Sequence, residues 1–250
     1  MKPFVRELIG DFKAAVRIGD PDSLEAVMDR VRVAPEDELP ATALTPLGET
    51  VRSLPEEILL PWLDDEDAAV RGIAAAGIGW KYGAAGEIPE AAYLLAAGDP
   101  AEEVRTALVD GLTAGPGSPA AWVNILLSGD SLFARQTGLL LLGRTGSLTI
   151  HSLDVLSDFD REQDHELRTA LVETLNRLAE NGRTGSVLDL LEVWAGREEP
   201  NTWVVTRVVS AGWASEHSER CVTILEKLSE QVGDNRSIAR ALERHRTSAS

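Results

Sequence analysis

The side chains able to do chemistry in this chain are few and scattered. His151, His165, His217 and His245 stand apart, with no HExxH stretch and no two histidines one helical turn from each other. His217 and Cys221 are four residues apart on a helical stretch and can share a face, which puts a thiol near a base; burial as a small hydrophobe is the commoner fate of such a cysteine. The run Asp64 to Asp67 concentrates carboxylates but lacks the glycine and the distal Glu of a calcium loop. No GxSxG elbow or Walker loop occurs, and the glycines of AGIGWKYGAAG and AGPGSPAAW follow helices rather than strands, the wrong setting for a phosphate cradle. Carboxylate pairs abound on any acidic helical surface, so none stands out as an acid and its base. The reading leans away from an enzyme and expects no catalytic residue, metal or cofactor.

The elements that would position these groups are helices in a repeating order. Arg71, Arg105, Arg135, Arg168 and Arg207 each follow an acidic stretch and open the same apolar pattern. A unit that recurs every ~30–40 residues marks a helical solenoid, in which each unit buries its apolar face only against its neighbours. Counting from each Arg, the third, fourth and seventh positions are Ala74, Ala75, Ile78; Leu108, Val109, Leu112; Gly138, Leu139, Leu142; Leu171, Val172, Leu175; and Ser210, Ala211, Ala214. These offsets share one face of an α-helix, so that face is expected to be buried. The clear repeats span 58–215. Before them, in 1–57, a hairpin of 3–18 and 21–33 precedes an irregular stretch that Pro40, Pro46 and Pro55 cut into short helices over 41–53 and 55–63. After them, 216–250 holds a helix over 216–231, a basic capping helix over 236–246 and a polar tail. Gly83, Gly115 or Gly117, Gly146 and Gly182 sit where left-handed helix caps are expected. The fold class is therefore all-α: a single domain built as a right-handed superhelix of about six or seven helical hairpins.

Asp65 with Arg71 and Asp99 with Arg105, each pair six residues apart, together with the V-R-x-x-A-A start of the second helix, resemble the HEAT repeat family. Arg135 follows Asp130 by five residues and Arg168 follows Asp160 by eight, and the unit before Arg207 departs further. The resemblance implies a structural ladder in which these Asp and Arg side chains interact along successive units. Electrostatics agree, because an Arg in the first helical turn opposes the macrodipole and gains from a nearby carboxylate. HEAT-like proteins mostly bind other proteins. One branch, the HEAT-like alkylpurine DNA glycosylases, binds damaged DNA, and NTWVVTR (Asn201 to Arg207) is similar to its terminal-repeat pattern. The catalytic Asp motif of that branch has no counterpart here.

The formal charge is −17 over 250 residues, and the acidic tract from Glu36 to Asp67 is opposed only by Arg52. Such a balance disfavours partners held through phosphates and favours a protein partner of basic or neutral charge. Cys221 is the only cysteine, so no disulfide closes within the chain, and a reducing cytoplasm is expected. No apolar run approaches membrane-spanning length. Six tryptophans dominate the sparse aromatics: Trp62, Trp122 and Trp194 fall at core positions, while Trp80, Trp203 and Trp213 are expected to be partly exposed. Opposite the buried stripe lie small and mixed residues, among them Gly72, Ala76 and Gly79; Asp110; and Thr169, Glu173 and Asn176. The candidate binding residues are Trp80, Asp110, Glu173, Trp203 and Trp213. The leading expectation is a noncatalytic protein-binding scaffold, and the alternative is a DNA-binding relative of the HEAT-like glycosylases without their activity. Whether a small molecule binds is left open.

Overall fold

The computed structural model describes residues 1–35, 37–83, 90–114, 119–146 and 148–248. Glu36, Gly115 and Gly117 lie outside them, as does the side chain of His151. Among the described residues the chain is all-helical with no strand, and no helix is long and apolar enough to cross a membrane. Contacts divide the chain into two compact units, one of residues 1–122 with 129–137 and one of residues 123–128 with 138–250.

The first unit begins with α1 (Pro3–Ile18) and α2 (Pro21–Arg32), a hairpin closed by Gly19 at φ 71° and by Asp20, whose side chain accepts from the Ser23 N–H. A single 3-10 turn, Ala41–Ala43, leads into α3 (Leu44–Val51), and α4 (Glu56–Leu63) follows Pro55. The prolines thus shorten the two helices expected here. Next come α5 (Ala68–Gly83), α6 (Glu90–Ala97), α7 (Glu102–Ala114), α8 (Ala120–Leu127) and α9 (Leu132–Thr145), the last two contributing residues to both units. Asp67 caps α5 by accepting from the Ala69 and Val70 N–H groups, which fixes the helix start at Ala68.

The apolar stripes of α5 and α7 are buried as expected, but α5 is buried on its other face too. Gly72, Ala76 and Gly79, placed opposite the stripe, lie in the interior because α3 and α7 close on both sides. A Cβ on Gly79 would lie 2.6 Å from the Leu108 carbonyl oxygen, and one on Gly111 would lie 2.5 Å from that of Ala76. Backbone therefore meets backbone at this crossing, and only residues without a Cβ permit the approach. Gly83, expected as a left-handed cap, is instead the last residue of α5 and lies against the Leu112 backbone. Gly146 and Gly182 do adopt positive φ, at 61° and 83°.

The second unit continues with α10 (Ile150–Ser157), α11 (His165–Leu178), α12 (Thr184–Ala195), α13 (Thr202–Val209), α14 (Ser218–Val232) and α15 (Arg236–Ser248). Asp164 caps α11 through the Leu167 N–H, and Asn201 caps α13 through the Val204 N–H. The core gathers Leu171 and Leu175, Leu188 and Leu191, Val204 and Val208, and Ile224 and Leu228 from successive helices. Here the fifth repeat departs from its expected register. Because α13 ends at Val209, Ser210 and Ala211 leave the helix half-buried, Ala214 is buried from the 3-10 stretch Gly212–His217 beyond it, and Val204, Val205, Val208 and Val209 form the buried face of the helix. Trp62, Trp122 and Trp194 are buried, while Trp80, Trp203 and Trp213 are half-buried.

Candidate functional site

Two arginines of the first unit bridge consecutive helical pairs. Arg32 donates from Nε and Nη2 to one carboxylate oxygen of Asp65, at 3.1 and 2.7 Å. Arg71 makes a two-pronged contact with Asp99, at 2.6 and 3.1 Å, while its Nη1 caps the carbonyls of Asp65 and Glu66. Burial pushes the Asp65 pKa up, but hydrogen bonds from Arg32 and the Asp67 N–H, with the charges of Arg32 and Arg71, outweigh it and hold the carboxyl below 3.8. Two of the four carboxylates of the acidic turn Asp64 to Asp67 are thereby committed to structure. Asp65 is paired and Asp67 is a helix cap, and no group of three or more His, Cys, Asp or Glu placed to hold a metal occurs among the described residues.

Beyond Asp99 the ladder changes partners. Arg105 donates to the carbonyls of Asp99 and Pro100 and to the side chain of Gln136, and its guanidinium lies over the Phe133 ring. Asp130 is exposed, and Arg135 is half-buried in the first turn of α9. Asp160, 2% exposed, pairs with Arg197 at 2.5 Å rather than with Arg168. The 3-10 turn Asp158–Arg161 ends α10 and puts that carboxylate beside the loop after α12. Arg168 and Arg207 turn to Trp203 instead.

The Arg168 and Arg207 guanidinium carbons each lie 5.6 Å from the Trp203 ring centroid, and the His165 ring centroid lies 5.9 Å from it. Arg207 reaches the indole because it is one helical turn beyond it on α13. Arg168 reaches it from the first turn of α11, and its buried Nε has no hydrogen-bond partner. Cation–π attraction of about 1–2 kcal/mol offsets part of that cost. The indole stands in a groove of about 1090 Å³ lined by α11, α13 and α15. Its apolar lining is Trp203, Val172, Ala211 and Ala241. Thr169, Asn176, Thr206 and Ser210 add polar groups, and Arg207, Arg240, Arg244 and His165 line it as well. Glu173 is the sole carboxylate among the described lining residues.

The five candidate binding residues thus divide. Glu173 and Trp203 line this groove, and Trp213 stands behind it, donating from Nε1 to Asn176 Oδ1 at 3.0 Å. Trp80 and Asp110 belong to the first unit. There the Trp80 ring sits beneath the Arg52 guanidinium at 5.6 Å, and Asp110 accepts a long 3.5 Å bond from Thr45 Oγ1. Arg240 and Arg244 escaped the sequence reading, which treated α15 only as a cap. The signal was present in the four-residue spacing of Arg236, Arg240 and Arg244 opposite the buried Ile238, Ala241 and His245.

The cysteine is structural. Cys221 is fully buried in α14 with its Sγ 3.7 Å from the Ala214 carbonyl, and burial pushes the thiol up to about 11, only partly countered by Arg220. His217 packs near Trp213, their ring centroids 6.5 Å apart. His245 is buried between Ser218 Oγ and the Val209 carbonyl. His165 and Glu173 line the same groove but stand eight residues apart on α11, about 12 Å by the helical rise, beyond hydrogen-bond reach of one another. No protein-family model matches the chain, and no curated protein is significantly similar to it.

Proposed function

We propose that this chain is a noncatalytic binding module of the helical-repeat kind, which holds a protein partner on the face formed by α11, α13 and α15. The observation that carries this reading is the groove around Trp203, where a large indole, held by two arginines, stands among hydroxyls, an amide and further arginines. Half-buried Trp and Arg are the side chains that most often dominate binding energy at interfaces. The groove pairs no nucleophile with a base, and its one histidine and one carboxylate are too far apart to act together. The helix pairs read as HEAT-like solenoid repeats, a reading supported by the Arg32–Asp65 and Arg71–Asp99 links between consecutive pairs. The lone buried cysteine supports a reducing, cytoplasmic setting.

Affinity capture from lysate tests the reading. The intact chain should enrich a protein partner that Trp203→Ala loses while staying folded. Absence of any enriched protein, or equal capture by the variant, would contradict it. A second reading draws on the same ring: an indole flanked by guanidiniums also suits a nucleic-acid base or phosphate. The net charge of −17 and Glu173 oppose it. Salt-sensitive binding of labelled duplex DNA, retained at moderate ionic strength, would favour this reading over the first.

A further inference from the structure

In a chain with 41 acidic and 24 basic residues, arginines find carboxylates easily. Arg30, Arg32, Arg71, Arg197, Arg220 and Arg246 all do so. Arg207 and Arg240 do not. Both are exposed, both line the groove, and neither has a carboxylate within ion-pair distance among the described residues. Arg244, one helical turn beyond Arg240, also lines the groove, and its Nη1 donates to the Ser210 carbonyl at 3.2 Å. Four residues of helix advance about 6 Å, so α15 presents cations at that interval along one wall. Beside them lie Trp203, Val172 and Ala211, which offer apolar surface rather than further charge.

We infer that the groove of α11, α13 and α15 binds an acidic, amphipathic protein segment, one whose carboxylates meet Arg207 and Arg240 while an aliphatic side chain covers Trp203. The inference rests on the groove being the binding surface and adds the sign and shape of what it takes. It reverses the expectation of a basic partner, which came from net charge; the local lining has the opposite sign. A nucleic-acid strand is the poorer fit. A polyanion held through several phosphates needs many cations and meets the repulsion of the whole acidic chain, whereas a segment with a few carboxylates needs only these two and gains from the apolar surface. A basic segment would meet like charge at every one of them.

The test is fluorescence anisotropy with the full chain and three labelled probes. These are a short helical peptide carrying Glu one turn apart beside a Leu face, the same peptide with Lys for Glu, and a mixed-sequence single-stranded DNA. The acidic peptide should bind, more weakly as salt rises, and Arg207→Glu with Arg240→Glu should weaken it by about tenfold or more. Arg240→Glu alone, at an exposed site, should give part of that loss, and Arg17→Glu on α1 none. Failure of the acidic peptide to bind, equal binding of the Lys peptide, or unchanged binding by the double variant overturns the inference. So does DNA binding in place of peptide binding. If the double variant still captures the wild-type chain's partner from lysate while the acidic peptide goes unbound, the inference fails and the broader binding role survives.

Discussion

Helices α5 and α11 carry an Arg at the same place in the first turn and bury an apolar stripe, Val172 of α11 excepted, yet they differ in what lies opposite it. In α5 the opposite face is Gly72, Ala76 and Gly79, and neighbouring helices close over it until backbones touch. In α11 it is Thr169, Glu173 and Asn176, too large and too polar to be closed over, and it stays open as one wall of a groove. Side-chain volume at a few positions therefore decides whether a second helix becomes core or surface. The first unit spends its repeat surface on packing, and the second leaves it available.

That contrast can be broken most forcefully at the glycine crossing. Gly111→Leu would drive a side chain into the α5 backbone at Ala76 and should cost about 3 kcal/mol or more, whereas Thr169→Leu in the groove should change stability by no more than about 0.5 kcal/mol. Urea denaturation of both variants measures the difference, and similar losses would erase the distinction between a closed and an open face. Next in size is the buried pair of the first unit. Asp99→Ala strands the Arg71 guanidinium and should cost about 3 kcal/mol by thermal unfolding, while Arg240→Glu in the groove should leave the melting temperature close to that of the parent. A small loss at Asp99 would mean that the Arg71 contact is ornamental.

Acid should weaken the first unit in particular. The Asp65 pKa is depressed in the folded state, so its contribution is present above the ordinary carboxylate value of 3.8 and is lost as pH falls through the lower folded value. Asp65→Asn should therefore be less stable than the parent at neutral pH and should lose less stability on acidification. Parallel pH profiles of the two proteins would contradict this. The smallest effect concerns the core of the second unit. With its thiol pushed up to about 11 and fully buried, Cys221 should resist a disulfide reagent in the native protein and react only as the chain unfolds. Rapid native labelling would show that the second unit opens locally.

Much of the helical order was legible because 3.6-residue periodicity, proline breaks and capping residues such as Asp20 and Asn201 act locally. The fate of Trp62, Trp122 and Trp194 was legible for the same reason. Burial of the second face of α5 was not, since Gly72 and Gly79 read equally as an open small-residue surface until their neighbours are known. The partner exchanges beyond Asp99 were equally hidden: the 3-10 turn at Asp158–Arg161 hands Asp160 to Arg197, and Arg168 is left to stack on Trp203. Trp203 and Glu173 were each named from the sequence, with no sign there that they share a groove. Their meeting with Arg240, distant in sequence, depends on how α15 folds back over α13, which no local pattern encodes.

Amide hydrogen exchange of the full chain, with and without the acidic helical peptide, tests the central claim most directly. The account predicts added protection confined to 165–178, 202–211 and 236–246, with 68–83 and 102–114 unchanged because their opposite faces are already closed. Protection over the α5 and α7 stretches with none at α11, α13 and α15 would contradict it.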